Sequence, residues 1–294
     1  MRRLIVNADD FGMTPGINRA IIEGNQRGIL TSATLMANSA AFEDAVALAQ
    51  GLAPYRAKFS VGCHIVLLDG EPLSSPASIP TLLQGGNGNV RFRGKLNDFA
   101  AAAVRGKLNP GEIEFEACAQ IDRIQRAGIR VSHLDAHKHA HIFPAVLRPL
   151  LRAAGARGVT ALRNPFGRIF PLPLSRILGN RRLWKRFGEM SLLRTFASRF
   201  RREVEAQGFR APDGSFGVLV TGVLDVELFI QIADSMPEGT WEFVCHPGYN
   251  DADLDRVQTR LRQSREEELQ VLTSFEAKEA LDRRGIELIS YHEL

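Results

Sequence analysis

The sequence predicts an α/β protein built as a single (β/α) barrel, complete or distorted. Short apolar runs alternate with longer segments of helical periodicity along the chain, which is typical of parallel βαβ units. Seven or eight such units fit within the 294 residues, which is the usual length of one barrel. Apolar residues make up 45% and charged residues 24%, so the composition excludes a disordered or collagen-like chain.

The apolar runs and the helical periods can be assigned in order along the chain. We predict strands at 4–8, 30–36, 59–67, 130–134, 159–162, 218–221, 241–245 and 287–290. We predict helices at 14–27, 41–50, 112–127, 143–154, 226–235 and 264–284. Pro15 suits the first turn of the first helix. The proline- and glycine-rich stretch around 72–88 is predicted to be a lid or hairpin, because it lacks the strand–loop–helix context of a phosphate-binding loop.

The cysteines and the N-terminus bear on where the protein works. Cys63, Cys118 and Cys245 are too few for a disulfide framework and favour a reducing compartment. No run of about 18 apolar residues is present, which argues against a transmembrane helix. The apolar stretch 4–6 is too short for a secretory signal. We therefore expect a cytoplasmic protein.

Positive charge is concentrated in one part of the chain, the basic segment at about 165–205. Between Arg163 and Arg202, eleven basic residues face one acidic residue, a net charge of +10. The rest of the chain has 26 basic and 32 acidic residues, a net charge of −6. The segment is predicted to be an insertion between βα units of a single domain that spans residues 1–294.

The basic segment is also rich in large apolar side chains. Leu192, Phe196 and Phe200 recur at the spacing of one helical face. Such an element can lie in a membrane interface, on the inner face in a cytoplasmic protein, or cover an apolar ligand. It can equally be a surface helix that packs on its own domain. No recognised nucleic-acid-binding module accompanies it, so we expect no nucleic-acid partner.

A run of alternating polar residues is the strongest chemical signal in the sequence. His133, Asp135, His137, His139 and His141 occupy every second position, and four of the seven histidines fall within these nine residues. Imidazole and carboxylate together suit zinc and similar divalent ions. Because nine extended residues span about 26 Å, one ion cannot use them all. We expect His133 and Asp135 near a strand end, and the last three histidines at or beyond it.

Three further groups follow other predicted strands. Asp9 and Asp10 end the first strand, and His64 lies within the third. His246 follows the strand at 241–245 and precedes a proline, which keeps it extended. In a parallel barrel the carboxyl ends of the strands form the active face. A metal there can polarise a carbonyl and orient a water, while a free carboxylate takes a proton and a histidine returns one to a leaving amine.

Five stretches together resemble the YdjC-like carbohydrate deacetylases, which include chito-oligosaccharide deacetylase. The stretches read IVNADDFG at 5–12, GILTSAT at 28–34, GCH at 62–64, HLDAHKHAH at 133–141 and CHP at 245–247. The resemblance runs from residue 3 to near the C-terminus. It implies a distorted TIM-like (β/α) barrel of the deacetylase type and a hydrolase that removes an N-acetyl group with one divalent ion, zinc or magnesium.

Carried over by position, the family's metal ligands fall on Asp10, His64 and His137. The base falls on Asp9, and His246 matches the position that we assign as the acid. The other residues of the tract are expected to orient the ligands or contact substrate: His133, Asp135, His139, His141. Arg163 either joins that group, since an arginine beside Asp9 would lower its pKa and orient it, or simply opens the basic segment. Lys138 departs from the pattern, because chito-oligosaccharide members often have another histidine there.

The basic segment makes the sequence more similar to the hopanoid-biosynthesis-associated branch of the family, called HpnK. That branch implies a substrate in which an N-acetylglucosaminyl group is joined to a hopanoid lipid. The segment would then contact the apolar body and anionic headgroups. Two other interpretations stay open: a deacetylase of soluble chito-oligosaccharides, and a non-enzymatic peripheral membrane or nucleic-acid-binding protein. A homo-oligomer is also compatible with the sequence.

Overall fold

A computed structural model describes residues 1–52, 59–84, 90–167 and 194–294. The strands are β1 (Arg2–Phe11), β2 (Ser32–Leu35), β3 (Ser60–Ile65), β4 (Leu134–Ala136), β5 (Gly214–Phe216), β6 (Gly239–Cys245) and β7 (Ile286–Leu288). The first helices are α1 (Pro15–Arg27), α2 (Phe42–Leu52), α3 (Leu96–Val104), α4 (Pro110–Arg126) and α5 (Pro144–Ala156). The later helices are α6 (Ala197–Ala206), α7 (Val226–Ser235), α8 (Gln263–Thr273) and α9 (Phe275–Arg283).

All the strands pair in parallel in one curled sheet with the order β4-β3-β2-β1-β6-β5. β7 pairs with the first residues of β1. Helices between successive strands pack on the sheet through apolar faces, as the alternating pattern predicts. Because the strands run the same way, the carboxyl ends of β1, β3, β4 and β6 lie at one end of the sheet.

The two edges of the sheet approach each other through irregular chain. Isolated parallel bridges join Leu134 to Leu162 and Ala161 to Arg210. The stretch predicted as a strand at 159–162 contributes only these bridges among the described residues. The α/β class and the curled parallel sheet are therefore confirmed, whereas a closed barrel and the single-domain organisation stay predictions.

Several predicted boundaries are wrong for local reasons. The helix predicted at 264–284 is two helices, because the Ser274 side chain accepts a hydrogen bond from the Ala277 amide and caps α9. The strand predicted at 218–221 lies earlier, as β5, and ends where Gly217 takes a φ of 93°. The strand predicted at 130–134 pairs instead over Leu134–Ala136. Helix α3 was not predicted.

The proline-rich loop after β3 closes as predicted into a short hairpin. Leu83 and Phe92 form an antiparallel bridge, and the Gln84 amide donates to the Arg91 carbonyl. The glycine-rich stretch 85–88 lies outside the described residues.

The basic segment is described only at its two ends, since residues 168–193 lie outside the described ranges. Phe200 and Val204, on α6, are buried in the core, and the Phe200 ring contacts that of Phe166 with centroids 5.4 Å apart. Arg199 and Arg201, which flank Phe200 on the helix, are exposed. This end of the segment thus packs on its own domain. Across the described ranges, no helix combines the length and the apolar character needed to cross a membrane.

Candidate metal centre and catalytic site

The end of β1 is irregular, and this irregularity turns two adjacent carboxylates toward one centre. The register between β1 and β2 shifts between Ala8 and Phe11, and Asp10 has a left-handed φ of 66°. In a regular strand Asp9 and Asp10 would point to opposite faces. The bulge bends the strand so that both reach the carboxyl end of the sheet.

Asp10, His64 and His137 converge at this end. The His64 Nε2 lies 3.3 Å from His137 Nδ1 and 3.8 Å from Asp10 Oδ1. The His137 Nδ1 lies 3.7 Å from the same Asp10 oxygen. The three ligand atoms lie within 4.8 Å of one another, so one divalent cation can bind all three. The sequence grouped these residues correctly; their role as ligands stays a prediction.

Asp135 orients the imidazole of His64. Asp135 lies opposite His64 in the β3–β4 register, and its Oδ1 is 2.8 Å from His64 Nδ1. The Thr34 hydroxyl donates to Asp135 Oδ2 at 3.2 Å and lies 3.3 Å from His64 Nδ1. A carboxylate on Nδ1 directs Nε2 toward the centre, which is the usual arrangement behind a metal-binding histidine.

The electrostatics of the centre favour added positive charge. Burial lowers the pKa of His64, but Asp135, Asp9 and Asp10 outweigh it and raise that pKa to about 9. Burial lowers the pKa of His137 to about 4, so this ring is neutral and has a free lone pair. Burial raises the pKa of Asp10, but nearby positive charges, chiefly that of Arg265, outweigh burial, so this pKa lies below its ordinary value. Carboxylates that favour a positive charge on His64, together with a neutral His137, fit a divalent cation, which would replace the His64 proton on binding.

Arg163 is fully buried and contacts three carboxyl groups. Its Nη1 and Nη2 donate to the two oxygens of Asp9 at 2.9 and 2.6 Å. It also forms an ion pair with Asp135 and donates to Glu242 Oε1. Burial raises the pKa of Asp9, but the Arg163 guanidinium outweighs it and holds that pKa well below its usual range. Of the two roles that the sequence left open for Arg163, the structure thus favours the contact with Asp9.

Arg265 binds Asp10 as Arg163 binds Asp9. It lies on α8, is almost fully buried, and donates through Nη2 to Asp10 Oδ2 at 2.6 Å. Sequence reasoning missed it, because an arginine in a polar helix gives no signal of burial. Thr34 and Glu242 were also given no role, and both lie on strands whose inner face borders the site.

His246 lies beside Asp9, as the sequence predicted. Its Nε2 is 3.8 Å from Asp9 Oδ2, and its backbone amide donates to Glu268 Oε2 at 2.5 Å. The ring Nδ1 is buried and forms no hydrogen bond within the described part of the chain. The imidazole is therefore held at the site by its backbone.

The remaining histidines of the tract diverge from the three candidate ligands. His139 follows Lys138 in a short 3-10 helix in which both residues have left-handed φ angles, 52° for Lys138 and 55° for His139. The His139 and His141 rings meet edge to face, 6.2 Å apart. Burial lowers the pKa of His139 to about 3. The charges of Asp9 and His246 also act on this ring. Lys138 is exposed and pairs with Asp69 at the rim.

His133 is buried behind the site. Its ring stacks on Tyr291 at 3.4 Å with an interplanar angle of 7°, and its Nδ1 is 2.9 Å from Ser132 Oγ. A Cβ at Gly62 would lie 2.4 Å from this ring. The glycine in the GCH stretch therefore makes room for His133 behind β3.

Substitution of Gly62 by alanine is expected to destabilise the fold by about 1–3 kcal/mol, because Tyr291 blocks the retreat of the His133 ring. The free energy of unfolding, measured by urea titration, tests this. Gly51→Ala is the control, since a Cβ there meets nothing within 4 Å and alanine favours the helix by up to about 1 kcal/mol. Equal stability of the two variants would contradict the packing argument.

The chain matches one protein family and two named relatives over almost its whole length. The YdjC-like protein family matches residues 3–283. A carbohydrate deacetylase from Brevibacillus brevis is 33% identical over 293 residues, 99% of each chain. A carbohydrate deacetylase from Geobacillus stearothermophilus is 34% identical over 293 residues, 99% of this chain and 98% of its own.

A solved structure has a similar fold. It is that of a "putative cellobiose-phosphate cleavage protein" from Enterococcus faecalis, with 27% identity, coverage of 99% of this chain and 98% of its own, and a TM-score of 0.76. The family match spans nearly the whole chain, including all three converging residues. The chain therefore belongs to the YdjC-like protein family.

Proposed function

We propose that this protein is a metal-dependent hydrolase that removes the N-acetyl group from an N-acetylglucosamine-type sugar conjugate. The convergence of Asp10, His64 and His137 is the observation that carries the proposal. The two relatives named as carbohydrate deacetylases support the reaction class, since they align over almost the whole chain.

The donor set fits a divalent cation bound by one carboxylate and two imidazoles. Three protein ligands leave coordination positions for water and for a carbonyl oxygen, as catalytic sites require. Zinc or a similar transition ion suits the imidazole nitrogens, and magnesium is the alternative that the family resemblance implies. When bound, the cation would polarise the amide carbonyl and raise the acidity of a water.

Asp9 and His246 provide the proton chemistry in this proposal. Arg163 keeps Asp9 ionised and orients it, but this contact also makes the carboxylate a weak base. Proton removal by Asp9 therefore needs a water of raised acidity. His246 lies beside Asp9 and outside the set of three ligands, so it is free to return the proton to the leaving amine.

Metal content and acetate release together test the proposal. Untagged protein should contain about one equivalent of divalent ion and release acetate from N-acetylglucosamine oligosaccharides. Chelation should abolish the activity, and the added ion should restore it. Acetate release that persists in the fully chelated, metal-free protein would refute the metal dependence, and stoichiometric metal without acetate release from any acetylated amino sugar would refute the reaction.

For the natural substrate we propose an N-acetylglucosaminyl hopanoid lipid, contacted by the basic segment at an anionic membrane surface. The net charge of +10 beside large apolar residues supports this choice. The packing of Phe200 in the core limits the lipid contact to other residues of the segment. A free chito-oligosaccharide is the competing substrate.

Charge reversal in the basic segment distinguishes the two substrates. We combine Arg181→Glu, Arg182→Glu, Lys185→Glu and Arg186→Glu and leave Phe200 unchanged. Turnover of the glycolipid in anionic vesicles should fall at least about tenfold, with turnover of short acetylated sugars unchanged. Neutral vesicles are the control. An equal effect on both substrates, or none on the glycolipid, would reject the lipid contact.

A further inference from the structure

Glu242 is a fully buried carboxyl group that the proposed mechanism does not use. It lies on β6 between two large apolar residues, Trp241 and Phe243. Its Oε1 accepts a hydrogen bond from Arg163 Nε at 2.9 Å. Its Oε2 lies 3.2 Å from the hydroxyl of Ser215, which is the registered partner of Glu242 in the β5–β6 pair. The β5–β6 register therefore holds Glu242 against Ser215.

The Ser215 hydroxyl has one hydrogen and two oxygen neighbours. Its Oγ is only 2.5 Å from the Asn164 carbonyl oxygen. Two oxygens at this distance need a hydrogen between them, and a carbonyl cannot supply it. The hydroxyl hydrogen therefore points at Asn164. The contact between Ser215 and Glu242 then needs a hydrogen from the carboxyl group, which places it on Oε2.

The charge balance leads to the same assignment. Arg163 brings one positive charge to three buried carboxyl groups, those of Asp9, Asp135 and Glu242. Burial, together with the two aspartates, raises the pKa of Glu242 from 4.5 to about 7 although Arg163 opposes it. The Tyr291 hydroxyl also faces Glu242 and, like Arg163, opposes this rise without reversing it. A neutral Glu242 leaves less uncompensated negative charge in this buried region.

We propose that Glu242 is a positioning residue that acts as a neutral acid. It accepts a hydrogen bond from Arg163 and donates one to Ser215, so it fixes the plane of the guanidinium without competing with Asp9 for its charge. The effect on turnover rests on the proposed function, whereas the protonation of Glu242 does not.

Glutamine and alanine at position 242 test the role in turnover. In Glu242→Gln the amide oxygen can still accept from Arg163 and the amide nitrogen can donate to Ser215, so kcat should stay within about threefold of the wild type. Glu242→Ala leaves Arg163 Nε without its partner, and kcat should fall about 10- to 100-fold with KM little changed. A glutamine variant that loses as much activity as alanine would show that the negative charge is needed and would overturn the proposal.

Infrared difference spectroscopy tests the protonation directly, independent of activity. At pH 6 the wild type should show the carbonyl stretch of a protonated carboxylic acid that the Glu242→Gln variant lacks. If that band is missing, Glu242 is ionised and the proposal is wrong even if the protein is a deacetylase. If the band is present and no acetylated sugar is hydrolysed, the proposed function is wrong, whereas the assignment of Glu242 as a neutral acid is supported.

The pH dependence of stability gives a second readout. The folded protein keeps the Glu242 proton up to about pH 7, whereas the unfolded chain loses it near 4.5. The stability contributed by this proton is therefore complete below pH 4.5 and is lost as the pH rises through 7. The Tm of the wild type relative to Glu242→Gln should fall across this window. A constant difference in Tm between the wild type and Glu242→Gln would show that Glu242 does not hold a proton across this pH range.

Discussion

Replacing Asp9 with asparagine is expected to lower kcat for acetate release by about 10²–10⁴-fold while the protein keeps its divalent ion. Asparagine has nearly the shape of aspartate but cannot accept a proton, and general-base catalysis contributes rate factors of this size. The ion should remain because Asp10, His64 and His137 form the candidate ligand set without Asp9. Steady-state kinetics and metal analysis of the same preparation measure both results.

Asp69→Asn is the matched control for this experiment. It makes the same chemical change at a rim carboxylate, which pairs with Lys138 and lies outside the ligand set. Its kcat should stay within a few-fold of the wild type, since exposed ion pairs contribute about 1 kcal/mol or less. An Asp9→Asn variant with full activity would show that Asp9 is not the base. Loss of the metal in that variant would instead place Asp9 among the ligands.

The sequence pattern was sufficient to bring the polar groups to one end of the sheet because the fold converts strand order into proximity, whereas the choice of three of them as metal ligands came from the family resemblance. His64 and Asp135 are 71 residues apart, yet they are registered partners in adjacent parallel strands. Any residues at the carboxyl ends of neighbouring strands meet in this way. The alternation in the tract also marked Asp135 as part of the same face as His137. The same rule placed Asp10 at this end of the sheet, and the family resemblance then grouped it with His64 and His137.

The buried arginines were harder to foresee. Two roles stayed open for Arg163, orienting Asp9 or opening the basic segment, and Arg265 was not singled out at all. Each compensates a carboxylate far away along the chain; Arg265 and Asp10 are 255 residues apart. Hydrophobic periodicity carries no information on such pairings, because it reports which face of an element is buried and not which charge it meets. Glu242 escaped notice for the same reason, as a single polar residue in an apolar strand.

Two of the errors in the fold have physical causes that can be named. β4 carries a polar residue on its inner face, so a search for apolar runs misplaced it. β4 consists of Leu134–Ala136 and includes the buried Asp135, whereas the predicted strand stopped at residue 134. The break between α8 and α9 was missed because Ser274 caps the second helix without interrupting the apolar period. Hydrophobic periodicity alone reveals neither a capping residue nor a polar residue in the interior.

Replacing His137 with alanine is expected to abolish both metal binding and turnover. Its Nδ1 is one of the three converging atoms, and two remaining ligands form a much weaker site. Loss of a group that only orients a ligand costs about 10- to 100-fold in affinity, so loss of a ligand itself should cost at least about 100-fold. Metal content after dialysis and a competitive zinc titration measure the affinity, and acetate release measures turnover.

His139→Ala is the matched control, because it removes an imidazole two positions further along the same tract. The left-handed backbone of residues 138 and 139 turns the chain after His137, and His139 is not among the grouped ligands. The variant should bind metal with wild-type affinity, and any change in turnover would then report contact with substrate. If His139→Ala loses the ion and His137→Ala keeps it, the ligand set is wrong. If both keep it, His137 is not a ligand and the proposed ligand set is wrong, which leaves the second group of converging side chains, Asp9, His64 and Asp135, as the alternative.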